Sequence, residues 1–177
     1  MDKTLYSTKP DTGNRPAKEM KTYELLEKLN IPYLRVDHQP VATVDACTEV
    51  EAILGIEICK NLFLCNGSKT EFYLLVMPGH KKFITKDVSR QIGSSRLSFG
   101  QAGDMQEYLN VTPGSVSILG LAYDTGHKIH LLMDKETAGS EYIGCHPCIN
   151  TSSLKIKTMD ILHKFLKYTG HDPVMIG

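Results

Sequence analysis

Apolar residues recur along this chain with two periods, and the period changes several times. Met20, Tyr23, Leu26 and Leu29 follow Pro16 at helical spacing and Pro32 ends the stripe, which predicts a first helix over 16–30. Leu34 and Val36 alternate with Arg35 and Asp37, the period of a short half-buried strand leading into a turn at His38-Gln39-Pro40. Thr43 is then a candidate N-cap for a helix carrying Val44, Cys47, Val50 and Leu54 on one face, with Gly55 as its C-terminal cap. Two dense apolar runs, Cys59 to Cys65 and Glu71 to Met77, flank Asn66-Gly67-Ser68-Lys69 and predict a hairpin with a loop longer than two residues.

Pro78-Gly79 breaks the strand pattern, and the basic stretch from Lys81 to Arg96 contains a short helix ending at Gly93. A second short helix is expected over Asp104 to Leu109. Val111-Thr112-Pro113-Gly114 turns into Ser115 to Ala122, whose small and branched residues predict a strand, and Asp124-Thr125-Gly126 leads into another over 128–133. A turn-rich segment runs through Tyr142-Ile143 to Cys145-His146-Pro147 before a strand around Leu154 and Ile156. Thr158 is a candidate cap for a last helix with Met159, Leu162, Phe165 and Leu166 facing inward, closed by Gly170. Interspersed helices and strands with hairpin-like turns predict a single α+β domain, a central mixed sheet flanked by helices. Residues 1–15 carry charges, Pro10, Gly13 and no apolar period, so they read as a flexible arm ahead of a domain at 16–177.

Composition narrows the class. The length of 177 residues and 41% hydrophobic content suit one domain with a sizeable core. Twenty basic and 20 acidic residues give zero formal net charge, unlike a protein that coats nucleic acid, so any such contact is a local patch. No apolar run approaches the roughly 20 residues of a membrane helix, and no membrane partner is expected. An odd number of cysteines, five, scattered in apolar segments without a leader-like opening suggests a reducing cytoplasm.

Candidate chemistry is sparse. Cys145-His146-Pro147-Cys148 has the spacing of a redox pair or half a metal site. Strand-like residues follow it rather than a helix, however, and Cys59 and Cys65, six residues apart on one strand, stand about 20 Å apart at ~3.3 Å per residue. Neither a metal nor a cofactor is therefore expected. Lys60-Asn61 opens an otherwise apolar strand, where a lysine either faces an anionic ligand or reaches solvent from the strand start. His146-Pro147 with Asn150-Thr151 packs imidazole, amide and hydroxyl into one turn, as a hydrogen-bonded loop or as a binding wall.

At these residues the chain resembles the YbaK-like superfamily, the prolyl-tRNA synthetase-associated domain, and within it free-standing deacylases of mischarged proline tRNA. The matching segments, in order, are Ile31-Pro32-Tyr33 with Val36-Asp37-His38-Gln39-Pro40 and Thr43, then Lys60-Asn61-Leu62-Phe63-Leu64, Arg96-Leu97-Ser98-Phe99, Val111 to Val116, Gly144 to Pro147 with Asn150-Thr151, and the end from Phe165 to Gly170-His171. The resemblance implies a cleft for the aminoacylated terminal adenosine and hydrolysis of the ester without a covalent intermediate or a required metal. Alanyl-tRNA(Pro) is the expected substrate, with cysteinyl-tRNA(Pro) or a non-catalytic aminoacyl-tRNA-binding module as alternatives. It implies functional roles for Lys60, Asn61, His146 and the loop from Gly114, with Ser115, Val116, Ser117, Ile118, Pro147, Asn150 and Thr151 lining the substrate site. Ile118 stands where the family carries proline, and Cys65 where a basic residue is common. Lys81, Lys82, Lys86, Arg90 and Arg96 are candidates to hold the acceptor stem, and prolyl-tRNA synthetase or an elongation factor are candidate partners.

Overall fold

The computed structural model describes residues 3–11, 13–40 and 44–177, and of residues 44–47 the backbone alone. The Thr43 cap and the helical face expected to carry the Val44 and Cys47 side chains thus lie, at those residues, outside the described residues. Helix α1 (Ala17–Lys28) buries Met20, Tyr23 and Leu26, the stripe its sequence carries. β1 (Tyr33–Asp37) follows, then α2 (Val44–Leu54), whose Val50 and Leu54 pack with Val36. The alternation expected in β1 is corrected here. Leu34 is exposed while Arg35 is buried, because the Arg35 guanidinium is covered by the Tyr6 ring 4.4 Å away and paired with Asp37. The arm is partly held by this strand: Tyr6 and Arg35 exchange backbone hydrogen bonds at 2.9 and 2.7 Å.

β2 (Lys60–Cys65) and β3 (Phe72–Met77) form the expected antiparallel hairpin. Next come α3 (Thr85–Gln91), β4 (Ser98–Phe99), α4 (Ala102–Leu109), a 3-10 helix (Ile118–Tyr123), β5 (Ile129–Asp134), α5 (Lys135–Gly139), β6 (Tyr142–Cys145) and β7 (Ser152–Lys157). The last helix is α6 (Thr158–Asp160), a π-helical stretch (Ile161–Phe165) and α7 (Leu166–Thr169), followed by β8 (Val174–Ile176). Among the described residues the strands form two sheets. The central mixed sheet runs β4-β2-β3-β5-β8, with β5 parallel to both its neighbours, and a smaller antiparallel sheet runs β1-β7-β6.

Strand periodicity explains the core. Phe63, Leu74, Val76, Leu131 and Met133 face one side of the mixed sheet and pack with α1 and the last helix through Tyr23, Leu26, Ile161 and Phe165. Leu64, Tyr73, Leu75, Met77 and Leu132 face the other and pack with Val88 of α3 and with Leu97. β3 is buried along its whole length because it is covered on both faces, so it reads as an unbroken apolar run. Fully burying each large apolar side chain contributes about 1.5 to 3 kcal/mol.

Three sequence expectations are overturned. Ser115 to Ala122 is not a strand: the Leu119 N–H is taken by Ser117 Oγ and the Ile118 N–H by Asn61, so the segment closes into a 3-10 helix. Met159 is exposed and Ile161 is buried in its place, where the helix passes into the π-helical stretch, while Phe165 and Leu166 are buried as expected. Thr158 is the first residue of its helix and makes no capping bond there.

Candidate functional site

The two sheets meet where Ile58 bridges Gly144 and the Cys59 N–H donates to the Gly144 carbonyl at 2.9 Å. Glycine is required at 144, since a Cβ there would stand 2.7 Å from the Glu57 carbonyl oxygen. This seam sets the start of β2, with Lys60 and Asn61, beside the end of β6, with Cys145 and His146.

Lys60 is half-buried and donates through Nζ to the Lys81 carbonyl at 2.7 Å, which leaves two ammonium protons for a ligand. Asn61 Oδ1 accepts the Ile118 N–H at 2.8 Å, and its Nδ2 donates to the Cys59 carbonyl at 3.2 Å. Asn61 thus fixes the loop from Gly114 to the strand. Gly114 has φ +85, a conformation glycine adopts without strain, and its missing Cβ would stand 3.6 Å from Asn150 Nδ2. Within that loop the Ser115 hydroxyl closes its own turn on Thr112, the Ile118 side chain is fully buried, and Val116 rests against the core. The Ser115 and Ile118 side chains are thus spent on the turn and the core.

His146 directly follows β6 of the smaller sheet. Its Nδ1 is 2.8 Å from the Ser152 carbonyl, which can only accept, so Nδ1 carries the proton and Nε2 keeps its lone pair. Burial pushes the imidazole below the ordinary histidine value, assisted by nearby His38, so His146 is neutral at pH 7. Pro147 is buried, and the Thr151 carbonyl accepts the His38 N–H at 2.9 Å.

His38 is the residue that sequence reasoning passed over when it assigned roles. Its Nδ1 donates to the Gln39 carbonyl at 2.8 Å, so its Nε2 accepts the Ser153 hydroxyl at 2.9 Å, and the His38 and His146 rings lie 6.0 Å apart. The only signal for it was the Asp37-His38-Gln39-Pro40 string. Asp37 anchors that string. Burial would raise its carboxyl, but hydrogen bonds from Arg35, Arg15 and Ser152 outweigh burial and hold it below the usual carboxylate range.

Of the five cations expected to hold an acceptor stem, three come together. Lys86, Arg90 and Arg96 line a groove of about 580 Å³ between α3 and the segment before β4. Lys81 and Lys82 border a different groove, where Lys81 pairs with buried Asp134 at 2.7 Å. Cys145 and Cys148 are free and fully buried, and burial pushes both thiols up, Cys148 to about 11, which makes them poor nucleophiles. Among the described residues no group of three or more histidine, cysteine or acidic side chains is placed to hold a metal ion, and no helix is long and apolar enough to cross a membrane.

The fold is a small α+β domain in which two backbone and side-chain links, Asn61–Ile118 and Ile58–Gly144, tie the start of β2 to the glycine loop and to the strand that precedes His146. Residues 38–164 match the model of the aminoacyl-tRNA editing domain. The chain is 31% identical over 146 residues to the prolyl-tRNA editing protein ProX of Acetoanaerobium sticklandii, covering 82% of this chain and 88% of that protein. It is 30% identical over 156 residues to prolyl-tRNA synthetase associated domain-containing protein 1 of Danio rerio, covering 87% of this chain and 84% of that one. Two solved structures share the fold. One, provisionally assigned as a trans-editing enzyme for prolyl tRNA synthetase, aligns with TM-score 0.66 at 14% identity over 92% of this chain and 98% of its own. The other, hypothetical protein APE2540, aligns with TM-score 0.64 at 18% identity over 88% and 96%. The chain belongs to the aminoacyl-tRNA editing domain family, on its prolyl-tRNA editing side.

Proposed function

We propose that this protein hydrolyses, in trans, the ester of mischarged proline tRNA, with alanyl-tRNA(Pro) as its substrate. The observation that carries the reading is that the Asn61–Ile118 bond ties the start of β2, with Lys60, to the 114–118 loop and the Ile58–Gly144 bridge ties it to β6, which ends next to His146, although these residues are up to 86 apart in sequence. In this reading the Lys60 ammonium, half out of water and with two donors free, meets the terminal phosphate or the ester oxygen and stabilises charge that grows there. Gly114 and its neighbours let the backbone approach the amino acid closely. Neutral His146 accepts through Nε2 a hydrogen bond from the ribose end or from the attacking water. Water adds to the ester carbonyl, the bond to the ribose oxygen breaks, and that oxygen leaves protonated.

Selection is by size. A synthetase site shaped for proline rejects smaller alanine weakly, so a second pocket too small for proline supplies the remaining discrimination. The groove of Lys86, Arg90 and Arg96 supports a stem held mainly by charge, and prolyl-tRNA synthetase or an elongation factor would be the partner that hands over the tRNA. Purified protein tested against alanyl-, cysteinyl-, seryl- and prolyl-tRNA(Pro) should hydrolyse the alanyl ester fastest. Faster loss of the cysteinyl ester would move the specificity, and tight binding with hydrolysis at the spontaneous rate would make the protein a non-catalytic binder.

A further inference from the structure

Phe99 is the most exposed of the large apolar side chains among the described residues, at 64%, and no core contact accounts for it. It sits on two-residue β4, opposite Leu64 of β2, with its ring 5.8 Å from that of Phe83. Phe99 lies three residues beyond Arg96 of the basic groove, and Phe83 lines the neighbouring groove of Lys81 and Lys82. The Leu97 N–H donates to Ser89 Oγ of α3, so the segment carrying Arg96 and Phe99 is pinned to the helix carrying Lys86 and Arg90. On the other side, Phe83 lies two residues beyond Lys81, whose carbonyl holds Lys60. Cations, the exposed Phe99 ring backed by partly buried Phe83, and Lys60 therefore follow one another near the β4 edge of the mixed sheet.

We propose that Phe99, backed by Phe83, is a stacking platform for an unpaired base of the tRNA acceptor strand, where the strand leaves its duplex. The assignment deepens the deacylase reading and rests on it. A ring face presented next to three cations suits a base with its phosphate: aromatic stacking accepts any base, and the cations meet the backbone. The spacing agrees. Phe99 pairs with Leu64, four residues along β2 from Lys60, hence about 13 Å away at ~3.3 Å per residue. That distance spans about four stacked nucleotides at ~3.4 Å each, the length of the unpaired 3′ end of a tRNA. A base stacked on Phe99 would thus place the ester at Lys60 and the duplex over Lys86, Arg90 and Arg96.

The chain contains no tryptophan, so Phe99→Trp introduces a single reporter at the platform. Its emission should be quenched by an uncharged acceptor-stem microhelix with the 3′ overhang, and far less by the same duplex cut blunt. Phe99→Ala should weaken microhelix binding from about fivefold to somewhat over a hundredfold. It should leave the salt dependence unchanged, whereas Arg90→Ala should flatten it. In deacylation, Phe99→Ala should raise KM with kcat nearly unchanged, and Phe99→Tyr should restore it. Emission from the Phe99→Trp variant that stays unquenched by a microhelix it binds, or wild-type affinity in Phe99→Ala, overturns the platform while leaving the deacylase reading intact. A protein that neither binds the microhelix nor deacylates any tRNA overturns both. Emission that shifts with protein concentration alone would make Phe99 a contact between copies and overturn the platform.

Discussion

Replacing Lys60 with glutamine separates the two jobs its side chain holds in the structure. The ammonium donates to the Lys81 carbonyl at 2.7 Å and keeps two donors for a ligand. Glutamine keeps an N–H donor that reaches toward the same carbonyl but carries no charge. The site is half-buried, so exchanging one hydrogen bond for another should change stability by less than about 1 kcal/mol. The lost term is the charge-assisted contact to the phosphate or ester oxygen, about 1.5 to 3 kcal/mol. If that contact strengthens in the transition state, hydrolysis of alanyl-tRNA(Pro) should slow by roughly ten- to somewhat more than a hundredfold, at 1.36 kcal/mol per factor of ten. Single-turnover hydrolysis beside a thermal melt of both proteins tests each half. Near-normal hydrolysis with an unchanged melt would refute the role of the charge. A collapsed melt would show that Lys60 serves the Pro78-to-Lys82 loop instead.

Three further outcomes are expected. Asn61→Ala strands the buried Ile118 N–H and should cost about 1 to 3 kcal/mol of stability in a urea melt, with deacylation lost as the 114–118 loop loosens. Asp37→Asn leaves the buried Arg35 guanidinium, with 3% of its side chain exposed, without its carboxylate and should cost about 3 kcal/mol, read by the same melt. The His146 proton equilibrium gives a pH signature. Its folded value lies below 6.5, so between the two values the unfolded chain binds a proton that the folded chain does not. Stability then rises with pH through that window and falls on acidification, and melts from pH 4 to 7 should show this step in the wild type and lose it in His146→Asn. Asp37, also lowered, acts in the same direction at lower pH, its share being present above the usual carboxylate range and lost as pH falls through the folded value.

Long, strongly periodic segments were legible in the sequence. The α1 stripe, the β2-β3 hairpin and β5 each carry enough apolar residues at one period to declare both the element and its buried face. Short elements were not. β4, β6, β8 and α5 contain between two and five residues each, too few to display a period, and their strands exist only because a partner strand offers backbone groups to pair with. Ser115 to Ala122 has the residue types of a strand, but Asn61, more than fifty residues earlier, takes one of its N–H groups, and no local pattern announces that bond.

The site divides the same way. Lys60, Asn61, Gly114 and His146 could be named from ordered motifs that match a family, because those motifs persist in linear order. Their joining could not, since it depends on the Ile58–Gly144 seam between sheets and on the Asn61–Ile118 bond. Nor could sequence show that Ser115 and Ile118 spend their side chains on the loop and the core, that His38 backs His146 through Ser153, or that Lys86, Arg90 and Arg96 share a groove while Lys81 is paired with Asp134. Residue type and spacing determine which local elements can form and which groups are available for chemistry. Which of those groups keep a free donor, a lone pair or an unmatched charge is decided by partners distant in sequence, and only the tertiary structure brings those partners within hydrogen-bonding distance.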